Sequence, residues 1–143
     1  MILETRAQIE ALLERSASVA VVGASANPQR PSYGVFTYLR AHGYDATPIN
    51  PALAQIDDVA AFASLHDYAT QRGAPDIVDV FRKPSDVLPL VHDAIAVGAK
   101  AIWFQLGVVN EAAIALAAAA GLDVVVDRCI EIEHRQLAAT HAE

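Results

Sequence analysis

Five short, largely apolar runs recur along this chain, at residues 19–22, 46–49, 76–81, 99–104 and 122–126, and a stretch of helical character separates each from the next. The runs are continuous rather than alternating, so each reads as a strand buried on both faces. That pattern belongs to a parallel sheet with helices on both sides. Right-handed crossovers then limit the architecture to a single Rossmann-like, doubly wound α/β domain of about five strands, most simply in the order 3-2-1-4-5.

The intervening segments supply the helices. Residues 2–15 place Ile2, Ile9, Leu12 and Leu13 towards one side, as an amphipathic helix does. Pro31 opens a second helix, with Val35, Phe36 and Leu39 as its apolar face and His42-Gly43 as its stop. Residues 52–73 are expected to hold a loop, the turn Ser64-Leu65-His66-Asp67 and a short helix through Arg72. Pro84-Ser85-Asp86 starts a helix that closes at Gly98; two more are expected at 110–120 and 130–140. A chain of 143 residues, 54% hydrophobic and 19% charged, suits one packed domain over 1–143.

The net charge of −7 argues against a nucleic-acid partner, because phosphate neutralisation needs a basic face. It leaves room for one small anionic ligand held by a local cluster of cations. The single cysteine, Cys129, cannot form an internal disulfide and fits a reducing cytoplasm. Residues 1–17 carry charges throughout, unlike a signal peptide, and the alanine-rich stretch at 112–126 is too short to cross a bilayer. A soluble, cytoplasmic protein with no membrane partner is expected. His42, His66, His92 and His141 show no metal-ligand spacing with each other or with Cys129, so no metal is expected. Oligomeric state is open, with the helix at 111–120 a surface that could pack against a second copy.

In a doubly wound sheet, ligands bind beyond the carboxyl ends of the strands. The loops there are Gly23-Ala24-Ser25-Ala26-Asn27-Pro28, Asn50-Pro51, Arg82-Lys83-Pro84, Gln105-Leu106-Gly107 and Asp127-Arg128-Cys129. Turn chemistry explains some of their Gly, Pro and Asn content; convergence of all five on one edge points to a site. A dinucleotide fingerprint would need G-x-G-x-x-G and an acid ending the second strand. Here Ser25 and Pro28 replace the second and third glycines, and Asn50-Pro51 replaces the acid. A nicotinamide oxidoreductase is therefore disfavoured. The first loop is long, which leaves room for Asn27, Arg30 and Tyr33 at its mouth.

These motifs together, GAS-x-NP-x-RPSY, INP, DVFR-x-P, W-x-QLGV-x-NE and DRC-I-x-IEH, resemble the small CoA-binding proteins. These are stand-alone relatives of the CoA-binding domain of the succinyl-CoA synthetase alpha subunit. The resemblance runs from about Val19 to His134 and implies a Rossmann-like domain that binds coenzyme A, or an acyl-CoA, without a general reaction of its own. A CoA-dependent enzyme component, such as part of a ligase working with a partner, is the alternative. Between Pro51 and Pro75 the sequence departs from the family pattern, and no ligand contact is carried over there.

By that resemblance Gly23, Ala24 and Ser25 hold the phosphate region. Arg30, Arg82 and Lys83 suit a diphosphate and a ribose phosphate, since arginine offers forked donors. Asn50 and Pro51 leave the ribose without a repelling acid, Phe81 and Pro84 could flank an adenine, and Gln105, Leu106 and Gly107 could line a channel for the pantetheine arm. Cys129 either faces the ligand thiol or is a small buried hydrophobe. Trp103 and His134 read more simply as structural than as ligand platform or general base.

Overall fold

Ser18–Val22 (β1) runs between two parallel neighbours, which is why its apolar residues are continuous: Val19, Ala20 and Val21 have no exposed surface at all. In the computed structural model, which describes the backbone of residues 1–142 and the side chains of 1–139, this strand lies inside a five-stranded all-parallel sheet. Its partners are Asp45–Ile49 (β2) on one side and Ile77–Val80 (β5) on the other; Ala101–Phe104 (β6) and Asp123–Val126 (β7) follow beyond β5. His141, weighed above as a metal ligand, lies outside the described side chains.

The segment expected as the third strand therefore does not sit outside β2; it lies next to β1. The outer position is taken by Phe62, which makes a parallel bridge with Ile49. With that rudimentary strand counted, the order reads 3-2-1-4-5-6, the expected doubly wound pattern with one more strand, and it reverses between β1 and β5.

Pro31–Ala41 (α2) and Ile130–Ala142 (α6) cover one face together with Arg6–Arg15 (α1). Their apolar residues enclose Val19, Val21, Trp103 and Val125. Leu65–Arg72 (α3), Val87–Ala96 (α4) and Glu111–Ala119 (α5) cover the other face around Ala20, Val78, Ile102 and Val124. A short 3₁₀ turn at Pro84–Asp86 precedes α4. The alanine-rich α5 packs within its own domain, burying Ala113, Ile114 and Ala117.

Two local expectations need correction. The first helix begins at Arg6 rather than at residue 2, because Thr5 and Gln8 form a reciprocal capping box there. The residues before it lie against β7 instead, where Ile2 bridges Val124 and the Leu3 amide donates to the Val124 carbonyl at 2.8 Å. Residues 52–73 also contain an unexpected two-stranded hairpin, Gln55–Ile56 (β3) with Val59–Ala60 (β4). Asp57 turns it with a φ of 52°, and the four strand residues are too few to show a period in sequence.

Candidate functional site

β1 and β5 are hydrogen-bonded neighbours whose following segments diverge, so the edge above them opens into a crevice. Gly23 ends β1 with a φ of 82°. Its amide donates to the Ile49 carbonyl at 3.0 Å, while the Phe81 amide donates back to Val22 at 2.9 Å. A side chain on Gly23 would overlap the carbonyl oxygen of Phe81. Glycine is thus required both by conformation and by the approach of the two strand ends.

The loop after Gly23 is held by its own side chains. The Ser25 amide donates to the Oγ of buried Ser32 at 3.1 Å, and Ser25 Oγ accepts from the Asn27 amide at 3.1 Å. Asn27 Oδ1 in turn accepts from the Gln29 amide at 2.9 Å, the usual local use of Asn in a turn. Asn50 ties the second loop to the first, donating Nδ2 to the Ala24 carbonyl at 2.9 Å and accepting from the Ala52 amide. Where a nicotinamide fold would have an acid, this chain has an amide engaged in shaping the neighbouring loop.

Two recesses result. The smaller, about 350 Å³, is lined by Gly23, Ala24, Ser25, Arg30, Ser32, Asn50, Pro31 and Phe81. The second, a groove of about 470 Å³, shares Pro31 and Phe81 and continues past Arg82, Lys83 and Pro84 to Gln105, Leu106, Gly107 and Cys129. Most of the residues singled out in sequence are therefore brought together. Asn27, Pro51 and Tyr33 line neither recess. Tyr33 gives its hydroxyl to both carboxylate oxygens of Asp57 at 3.1 and 3.2 Å, joining α2 to the hairpin. That bond is the main cause holding its phenol above the usual tyrosine range. A larger depression of about 530 Å³ lies between residues 60–63 and α3, shares no residue with the other two recesses, and has as its one cation Arg72, which is paired with Asp45.

The electrostatics of the mouth stand out. The chain has ten Lys and Arg residues. Seven are engaged: Arg6, Arg15, Arg40, Arg72, Lys100, Arg128 and Arg135 each face a carboxylate. Among the described residues, Arg30, Arg82 and Lys83 alone make no ion pair, and all three line the two recesses.

The far end of the groove is braced from β6 and β7. Trp103 is fully buried and donates its indole N–H to the Arg128 carbonyl at 2.8 Å, so it belongs to the core. Asp127, with a φ of 57°, accepts from the Gly107 amide at 2.7 Å. Cys129 sits just before α6, half-buried on the groove wall. His134 lines neither recess: its Nδ1 meets the Tyr38 hydroxyl at 2.7 Å on the seam between α2 and α6. Among the described residues, no group of three His, Cys, Asp or Glu is placed to hold a metal, and no helix is long and apolar enough to cross a membrane.

Sequence reading missed Asp79. It lies in β5 with no exposed surface, accepts a hydrogen bond from Gln105 Nε2 through Oδ1, and has no partner at Oδ2. Burial pushes its carboxyl up to about 7, with the Gln105 bond acting in the opposite direction. The available signal was an acid flanked on both sides by apolar residues, in Ile77-Val78-Asp79-Val80-Phe81.

Fold and crevice define a Rossmann-like α/β domain with a candidate ligand groove at its switch point. Over residues 17–135 the sequence matches the model of the CoA binding domain, and the chain belongs to that family. It is 34% identical over 130 residues to the uncharacterized protein YneT of Bacillus subtilis (strain 168), covering 91% of this chain and 94% of that one. A solved hypothetical protein from Pyrococcus horikoshii OT3 is 36% identical, with a TM-score of 0.89 over 94% of this chain and 93% of the other. The cell-free ID.343 structure from Thermus thermophilus is 34% identical, with a TM-score of 0.85 over 94% and 99%.

Proposed function

We propose that this chain binds coenzyme A, or an acyl-CoA, as a carrier or sensor rather than as an enzyme. The observation that carries the reading is the set of three unpaired cations, Arg30, Arg82 and Lys83, gathered on one crevice of a protein of charge −7. Unpaired cations beside a glycine-lined strand end suit phosphate groups. The ligand's parts fit the two recesses in turn. The diphosphate lies at Gly23 and Ser25 before α2, with Arg30 beside it. The ribose phosphate meets Arg82 and Lys83, and the pantetheine arm follows the more apolar groove towards Cys129. Family membership supports the ligand class independently. The non-catalytic part rests on the lining of the two recesses, which includes no histidine, and on His134, whose Nδ1 is engaged by Tyr38.

Thermal unfolding with CoA, dephospho-CoA, NAD and ATP tests the reading. A ligand that binds only the folded state stabilises it by about 2.7 kcal/mol at 100 times its Kd. The largest shift is expected with CoA and a smaller one with dephospho-CoA. A larger shift with NAD than with CoA would overturn the assignment.

A further inference from the structure

Gln105 is 4% exposed, yet it contributes to the groove wall. Its Nε2 is committed to Asp79 Oδ1. Its Oε1 accepts no hydrogen bond and is not among the buried unpartnered atoms, so the exposed end of this amide is the carbonyl oxygen. The orientation is not arbitrary. A carboxylate facing the amide oxygen would set two acceptors against each other, so an ionised Asp79 permits only the donor to face it. The rest of Asp79's surroundings reinforces the arrangement. It is wholly buried on the face that also holds Val21 and Trp103, its partners in register on β1 and β6. Its Oδ2 has no donor within reach. A buried acid with one orphaned oxygen costs stability, and in this position its one hydrogen bond goes to a residue of the groove.

We propose that Asp79 is a positioning residue that locks Gln105 with its carbonyl oxygen towards the groove, making this part of the wall a hydrogen-bond acceptor for a ligand N–H. Asp79's role rests on the coenzyme A reading, under which the donor is an amide N–H of the pantetheine arm. The wall then reads the polarity of the arm, rather than only its shape: an ester in place of the amide presents a lone pair where the N–H should be.

Calorimetric titration at about pH 8, above the range where Asp79 takes up its proton, gives the test. The probes are CoA and its two ester analogues, each with one pantetheine amide N–H replaced by oxygen. Wild-type protein is expected to prefer CoA over at least one analogue by about tenfold or more. Gln105→Met should abolish the preference. Asp79→Leu, which frees the Gln105 amide to turn, should reduce it severalfold. Asp79→Asn, which keeps an acceptor available to Gln105 Nε2, should restore much of it. A merely structural role for Asp79 would change the affinity for all three ligands alike and leave the ratio intact.

Nitrogen-15 spectra of the ligand-free protein add a readout that needs no binding. The Gln105 side-chain NH₂ is expected to exchange slowly with solvent in the wild type and in Asp79→Asn, and faster in Asp79→Leu or, should that variant fail to fold, in Asp79→Val. An unchanged ligand ratio in the Asp79 variants, or CoA binding by the wild type with no preference over either ester, overturns the proposal and leaves CoA binding standing. No CoA binding by the wild type overturns the reading beneath it.

Discussion

Gly23 and Phe81 stand so close at the ends of adjacent strands that a Cβ on the glycine would overlap the carbonyl oxygen of the phenylalanine. The positive φ of 82° adds a conformational penalty for any other residue. Gly23→Ala is expected to destabilise the protein by roughly 2–4 kcal/mol, from left-handed strain together with a forced parting of two strand ends. Urea unfolding measures the combined loss. A variant of wild-type stability would mean that β1 and β5 are less closely held than described.

Arg30 and Lys83 are exposed and form no ion pair, so removing them should leave the fold unchanged. Arg30→Ala and Lys83→Ala are each expected to weaken CoA binding by roughly 1.5–3 kcal/mol, the usual cost of losing a charge-assisted contact. For Lys83→Ala the loss should shrink when dephospho-CoA is the ligand. Unaltered CoA affinity in both variants would place the phosphates elsewhere.

Several helix and strand ends could be read from sequence because strong breakers mark them: Asn50-Pro51 follows β2, and Gly98 and Gly121 follow α4 and α5. The β3–β4 hairpin could not, since two residues per strand carry no periodicity and its turn uses Asp57, a left-handed residue that is not glycine. The candidate site was legible as a set of loops but not as contacts. Arg30 and Tyr33 lie within one turn of each other, yet one lines a recess and the other is drawn away by a carboxylate from the hairpin. Asp79 was hidden for a related reason: strand position alone does not reveal that its side chain meets a glutamine from the loop after β6.

Cys129 is the only cysteine and lines the groove's far end. With CoA disulfide its thiolate should attack one sulfur, forming a protein–CoA mixed disulfide and releasing the other half as CoA thiolate. Intact mass should show one CoA adduct, reversed by reductant and absent in Cys129→Ser. A wild type that stays unmodified would show that the ligand's thiol stops short of this residue.

Asp79 also predicts a pH dependence. An unfolded aspartate titrates near 3.9, whereas in the fold burial raises the carboxyl to about 7. Between those values the folded state holds a proton that the unfolded state has lost, so this residue makes stability fall as pH rises from about 4 to about 7. The full effect is at most on the order of 4 kcal/mol, at about 1.36 kcal/mol per pH unit. In Asp79→Asn that contribution disappears, and the difference between variant and wild type should grow in the variant's favour across this window. Urea midpoints measured in parallel decide it; curves of constant separation would show that Asp79 is already ionised throughout.

Phe62 and Ile2 have a consequence for how copies of this molecule can meet. Unpaired strand edges are templates for adding further strands, the route by which sheets aggregate. Here the outer edge of β2 is occupied where Phe62 exchanges backbone bonds with Pro48 and Asn50, at 3.0 and 2.9 Å. The outer edge of β7 is occupied where Val124 bonds Met1 and Leu3, at 2.9 and 2.8 Å. Each flank of the sheet is thus closed by a few residues of its own chain, too short to count as strands but placed where polymerisation would start. At these two positions the sheet cannot be extended by a strand from another molecule unless the chain's own residues are first displaced.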